Sequence, residues 1–95
     1  MSDSAPVLKL YYRQNCHLCE DMWAHLQEIQ KEYAFQIVTI DIAASAELET
    51  QHGTRIPVLE TGEGRELCNY YLDERGLLDY LNSRLALSQA KQHTA

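Results

Sequence analysis

Cys16 and Cys19 stand two residues apart in the run Asn15-Cys16-His17-Leu18-Cys19, with Arg13 just ahead. A C-x-x-C pair that opens a helix suits thiol–disulfide exchange. The first N–H groups of a helix lack intrahelical partners, and that end carries partial positive charge. A thiolate placed there is stabilised, so its pKa falls from about 8.5 into a range of roughly 3.5–7.5. The thiolate is the attacking species in disulfide exchange, so the position itself creates reactivity. At i and i+3 the two cysteines are neighbours on the surface of the first turn. Cys19 falls nearer the apolar side of the helix. Cys16 is therefore the expected nucleophile, and Cys19 the shielded resolving thiol of a redox-active disulfide.

The neighbours of the pair would tune it. His17, as imidazolium, would favour the Cys16 thiolate and stabilise the reduced form. The Arg13 charge acts in the same direction. Glu20 and Asp21 suit the helix dipole but oppose a nearby thiolate. Trp23, one turn beyond Cys19, is expected to pack beneath the pair. The third cysteine, Cys68, reads as a small buried hydrophobe in a strand, with a regulatory thiol as the minor alternative. His25, His52 and His93 read as surface residues. A structural zinc site needs four ligands. Here the second pair is missing, so no metal ligand is assigned. Metal or iron–sulfur binding through Cys16 and Cys19, with a cluster shared between subunits, stays as an alternative. A binding module without turnover is the other.

The elements that must hold these residues follow from the pattern. Val7 to Tyr12 is apolar and β-prone, which suits a buried central strand. Arg13-Gln14 turns the chain, and Asn15 is the expected helix cap. A helix from Cys16 to about Tyr33 places Leu18, Met22, Leu26, Ile29 and Tyr33 on one face. Phe35 to Asp41 is the second strand, parallel to the first because a whole helix joins them. Ala43 to His52 reads as a short helix capped at Ser45 and ended by Gly53. Thr54 to Glu60 carries Pro57 at the mouth of a third strand. Thr61-Gly62-Glu63-Gly64 turns into a fourth strand, Arg65 to Tyr71. Asp73 caps a last helix, Glu74 to about Leu87, with Leu77, Leu78, Leu81 and Leu85 inward. Tyr11, Tyr12, Tyr70 and Tyr71 divide between core and surface, and Tyr12 or Tyr70 would line a substrate groove. The order β-α-β-α-β-β-α gives an α/β fold, a four-stranded mixed sheet with helices on both faces. Residues 1–95 form one domain with loose termini at 1–6 and 88–95.

Composition narrows the function. With 14 acidic and 8 basic side chains the net charge is −6, which argues against nucleic acid and acidic membrane surfaces as partners. No apolar run approaches the roughly 20 residues of a membrane span. The start lacks the basic and apolar regions of a secretory signal. Three cysteines make no disulfide scaffold, so a reducing cytoplasm is the expected compartment. The chain is expected as a monomer.

The chain resembles the glutaredoxin branch of the thioredoxin superfamily over about residues 7 to 87. Tyr12-Arg13-Gln14-Asn15-Cys16-His17-Leu18-Cys19 is similar to the strand end, basic residue and C-x-x-C of glutaredoxins. Arg55-Ile56-Pro57-Val58-Leu59 is similar to the cis-proline segment. The element order agrees. Two departures stand out. His17-Leu18 replaces the usual Pro-Tyr between the cysteines. Asn69-Tyr70-Tyr71-Leu72-Asp73 stands where glutaredoxins carry Gly-Gly-x-Asp, and Asp73 alone matches. The resemblance implies a thioredoxin-like fold and a dithiol oxidoreductase that reduces protein disulfides or glutathione-mixed disulfides. It implies no bound cofactor, with glutathione as co-substrate. Arg13, Arg55, Ile56, Pro57 and Asp73 would form the substrate or glutathione site. Pro57 would be cis and would leave the Ile56 backbone free to pair with substrate.

Overall fold

The computed structural model describes residues 5–94, with side chains through residue 84. Strand β1 (Val7–Tyr12) leads into helix α1 (His17–Gln30) and strand β2 (Gln36–Asp41). A 3-10 turn (Ile42–Ala44) and helix α2 (Ala46–His52) follow. Strands β3 (Val58–Thr61) and β4 (Glu66–Asn69) form a hairpin before helix α3 (Glu74–Thr94).

The four strands lie in the order β2-β1-β3-β4. β1 and β2 run parallel, with Leu8 beside Ile37 and Leu10 beside Thr39. β3 lies antiparallel to both β1 and β4, with Leu10 opposite Leu59 and Leu59 opposite Cys68. The central strands β1 and β3 are thus the apolar ones. Leu8, Leu10, Val58 and Leu59 are almost fully buried. Successive side chains of a strand point to opposite faces, and two cores result. Leu8, Leu10 and Leu59 pack with Met22, Leu26 and Ile29 of α1 and with Leu77 and Leu81 of α3. Tyr11 and Val58 face the other way, onto Ile42 and, partly buried, Leu48 of α2. The expected layers, with helices on both faces, are present.

The boundaries differ in ways that bear on the site. Cys16, not Asn15, occupies the cap position of α1. Asn15 has φ of 60°, a left-handed conformation that Asn tolerates better than most residues. That turn delivers Cys16 to the helix end, where its own sulfur accepts the N–H of Cys19 at 3.2 Å. The expected short second helix begins at Ala46 rather than Ala43, capped by Ser45 as expected, with a 3-10 turn ahead of it. The Ser45 hydroxyl accepts the N–H groups of Glu47 and Leu48 and starts α2, while Asp41 caps the preceding turn. Gly53 ends α2 in right-handed geometry, with φ of −54°. The fourth strand stops two residues short of Tyr71 because Tyr70 takes φ of 64°. Asp73 does cap α3: its carboxylate accepts the Gly76 N–H at 3.1 Å. The α3 backbone stays helical to Thr94, past the expected end near Leu87. Of the expected loose start, residues 1–4 lie outside the described residues, as do the side chains of Leu85 and His93. Among the described residues no helix is long and apolar enough to cross a membrane.

Candidate functional site

β1 ends at the middle of the sheet and hands the chain to the start of α1, which is where the cysteines sit. Cys16 and Cys19 are joined as a disulfide, with their Cα atoms 5.2 Å apart. Cys16 is half-buried, whereas Cys19 is 4% exposed. The difference follows from helix geometry. Cys19, Met22, Leu26 and Ile29 form the buried stripe of α1, and Cys16 precedes its first turn. One sulfur thus meets incoming groups, and the other is shielded behind it.

The edges of that stripe line two grooves. Trp23 is rotated by about 100° from Met22 around the helix. It is 37% exposed and does not pack beneath the pair, contrary to expectation. Instead it lines a groove of about 500 Å³ with Tyr12, Arg13, Cys19, Glu20 and Thr39. Leu18, on the opposite edge, lines a groove of about 200 Å³ with Asp21, His25, Tyr70, Tyr71 and Leu72. Tyr12 and Tyr70 therefore each border a groove, one on either side of the cysteine helix.

The expected anion-holding and tuning residues are already engaged. The Arg13 guanidinium is paired with Glu49 of α2. Arg55 is paired with Glu66 of β4, whose hydrogen bond and charge raise the Arg55 pKa above its ordinary value. His17 projects into solvent, 3.8 Å from the Asp21 carboxylate one turn on. The Asp73 carboxylate serves the start of α3. What the structure aims at the Cys16 sulfur is the helix end itself, through the Cys19 N–H.

The third contributor is the segment before β3. The Ile56–Pro57 peptide bond is cis. The Pro57 carbonyl accepts the Tyr70 N–H at 2.9 Å. Alternation along β3 turns the peptide groups of Ile56 the other way, toward the β1 side, one step past the last paired residues Tyr11 and Val58. Among the described residues the Ile56 N–H and C=O have no backbone partner. Tyr70 closes this corner from outside, with its hydroxyl donating to the Thr54 carbonyl. Cysteine pair, Ile56–Pro57 and Tyr70 thus converge at one end of the sheet.

One further expected placement changes. His52 is buried, 8% exposed, and its ring stacks on Tyr11 at 4.2 Å between centroids. Among the described residues its Nδ1 has no hydrogen-bond partner. Nothing near His52 in sequence signals this, because the covering ring comes from β1. Tyr11 in turn donates from its hydroxyl to Glu60 at 3.2 Å. Burial first, and the Glu60 charge second, raise the Tyr11 pKa. Cys68 is free and half-buried, packed on the main core beside Leu59. His25 is exposed, as expected, and bonds Glu74 at 2.9 Å. Among the described residues no three His, Cys, Asp or Glu side chains are arranged to hold a metal ion.

Comparison with known proteins places this geometry. The family model described as glutaredoxin-like domain (DUF836) matches residues 7–82. The uncharacterized protein Rv0508 of Mycobacterium tuberculosis is 32% identical over 79 residues, 78% of this chain and 80% of its own length. The solution structure of Ne2328 from Nitrosomonas europaea superposes with a TM-score of 0.75 at 36% identity, covering 85% of this chain and 96% of that one. Thioredoxin 1 of Thermosipho africanus superposes with a TM-score of 0.59 at 16% identity, covering 87% of this chain and 98% of that one, a likeness of fold. With its C-x-x-C pair at the start of α1 in a four-stranded mixed sheet of thioredoxin type, the chain belongs to the glutaredoxin-like domain family.

Proposed function

We propose that this protein is a thiol–disulfide oxidoreductase that reduces protein disulfides or glutathione-mixed disulfides of proteins in a reducing compartment. The observation that carries the reading is the asymmetry of the pair. Cys16 caps α1, half-exposed, with a backbone N–H on its sulfur, and Cys19 lies buried within bonding distance.

In the reduced protein the Cys16 thiolate attacks one sulfur of the substrate disulfide. A new S–S bond forms to Cys16, and the second substrate sulfur departs as a thiolate that takes a proton from water. Cys19, deprotonated, then attacks the Cys16 sulfur. The mixed disulfide breaks, the first substrate sulfur leaves as a thiolate that takes up, through water, the proton Cys19 gave up, and Cys16–Cys19 closes. Two electrons pass from the dithiol to the substrate. A cellular thiol or dithiol reductant returns them by the same exchange in reverse. The N–H groups of the α1 end favour the thiolate when Cys16 attacks and again when it is displaced. The unpaired Ile56 backbone is well placed to hold an extended substrate segment beside the sulfurs.

The test is turnover of insulin and of a glutathione-mixed disulfide, with glutathione and its reductase compared with a thioredoxin reductase as electron source. Cys16→Ser is expected to reduce turnover to background. Cys19→Ser is expected to accumulate a substrate adduct of one mixed disulfide, visible by mass spectrometry. Equal loss in both variants with no adduct would contradict the assigned roles.

A further inference from the structure

The groove beside Leu18 carries more information than the exchange chemistry uses. It holds a contiguous apolar surface next to the reactive pair. Leu18 lies between the cysteines, and across from it are Tyr70, Tyr71 and Leu72. Tyr70 is 43% exposed and Tyr71 is 71% exposed. Single exposed apolar residues are ordinary, but a clustered aromatic patch marks an interaction site. Tyrosine suits such a site because it offers a broad apolar face with a polar tip. Tyr70 is also held in left-handed backbone geometry, φ 64°, which is unfavourable for a bulky residue. Its N–H to the Pro57 carbonyl and its hydroxyl to the Thr54 carbonyl fix it there. The fold therefore spends stability on presenting this corner.

Charge decides what can bind. Asp21 lines the groove, and Asp73 and Glu74 start the facing helix. The nearby imidazoles of His17 and His25 already lean on Asp21 and Glu74. Arg75 is exposed in the first turn of α3 and does not line the groove. Arg13 and Arg55 face Glu49 and Glu66. Exposed ion pairs are weak, so an anion could displace either carboxylate at little cost. It would then lie beside the displaced carboxylate, which opposes it. A small anionic thiol such as glutathione, with two carboxylates and one ammonium, finds no arginine lining this groove among the described residues.

We propose that the groove formed by Leu18, Tyr70, Tyr71 and Leu72 docks a protein substrate, whose disulfide is flanked by an apolar or aromatic side chain and by lysine or arginine. This rests on the redox reading above. The apolar residue fills the groove, and its basic neighbours meet Asp21 on one wall and Asp73 at the start of α3. Such complementarity acts mainly through the association rate and weakens with salt.

The experiment is a single-turnover comparison of the reduced protein against four disulfides. They are hydroxyethyl disulfide, glutathione disulfide, and two otherwise identical peptides with tyrosine-lysine or tyrosine-glutamate flanks. The basic peptide is expected to react at least about tenfold faster than the acidic one at low salt, with the gap closing at high salt. Asp21→Asn combined with Tyr71→Ser is expected to flatten that ratio. Both side chains are exposed, so the variant should fold, and circular dichroism checks it. Glu32→Gln removes the same charge beyond the far end of α1 and is expected to keep the ratio. Acidic peptide or glutathione disulfide matching the basic peptide would overturn the proposal, as would an equal effect of Glu32→Gln. If hydroxyethyl disulfide also goes unreduced, the redox reading fails, and the docking proposal falls with it.

Discussion

Cys68 carries the same thiol as Cys16 in surroundings that act on it in the opposite sense. Cys16 stands at a helix start with an N–H on its sulfur. Cys68 is half-buried in β4, and burial pushes its pKa up, with the charges of Asp73 and Glu66 adding and the Asp73 N–H opposing. A raised value means that Cys68 stays protonated through neutral pH and yields thiolate only above the ordinary thiol value of about 8.5. Alkylation of the reduced protein, read by mass spectrometry at each pH, is therefore expected to label Cys16 well before Cys68. In the denatured chain Cys68 should label at lower pH than in the folded one. Equal labelling of Cys68 in the two states at neutral pH would contradict this. The burial of Cys68 was legible, because an alternating apolar strand predicts it. The burial of His52 was not. A histidine closing a short polar helix looks exposed until Tyr11, 41 residues away in sequence, is brought over it by the sheet. The cysteine pair was legible because its chemistry depends on local spacing. The commitments of Arg13 and Arg55 were not, since Glu49 and Glu66 are brought to them only by the packing of α2 and β4.

Elements differ in how far their ends could be read. Parallel pairing of β1 with β2 and the β3–β4 hairpin follow from connection lengths, which are local facts, whereas the placing of β3 beside β1 does not. The ends depend on single residues in unusual geometry. Asn15 and Tyr70, both at positive φ, moved the start of α1 and the end of β4, and Tyr70 is not a residue that propensity would place there. Gly53 shows the same principle at the end of α2. Its geometry is right-handed, so conformational freedom does not explain it. Space does: a Cβ there would lie 2.5 Å from the Glu49 backbone oxygen and 3.2 Å from its Oε1. Replacing Gly by Ala at a compatible position gains about 0.4–1 kcal/mol. Overpacking against a fixed atom costs about 1–3 kcal/mol. A helix carbonyl cannot rotate aside, so the clash wins. Gly53→Ala is expected to lower the melting temperature by several degrees, given about 4–8 °C per kcal/mol for a domain of this size. An unchanged or raised melting temperature would show that the end of α2 relaxes freely.

For the molecule as a whole, the two faces of the sheet are unequally supported. Among the described residues, nine buried ones form the core under α1 and α3, whereas Tyr11, Ile42 and Val58 form the buried core under α2. Each fully buried large apolar side chain contributes about 1.5–3 kcal/mol. The α2 layer therefore has much less to lose on opening, and it also holds His52, whose Nδ1 has no partner among the described residues. Segments with few buried apolar contacts open at lower free energy than the rest of the fold. Native-state hydrogen exchange should show this directly. Amides of Leu48 to His52 are expected to exchange through a local opening, at rates little affected by mild denaturant. Those of Leu8 to Tyr11 and Met22 to Ile29 should exchange only with global unfolding. Because Glu49 lies in α2 and grips Arg13, each such opening also uncouples the loop that leads into Cys16. Glu49→Gln weakens that tie without emptying the core, so it should speed exchange in α2 while leaving β1 unchanged. Protection of α2 equal to that of β1 would mean that the small core and the Arg13–Glu49 pair bind the layer as firmly as the large core binds the other.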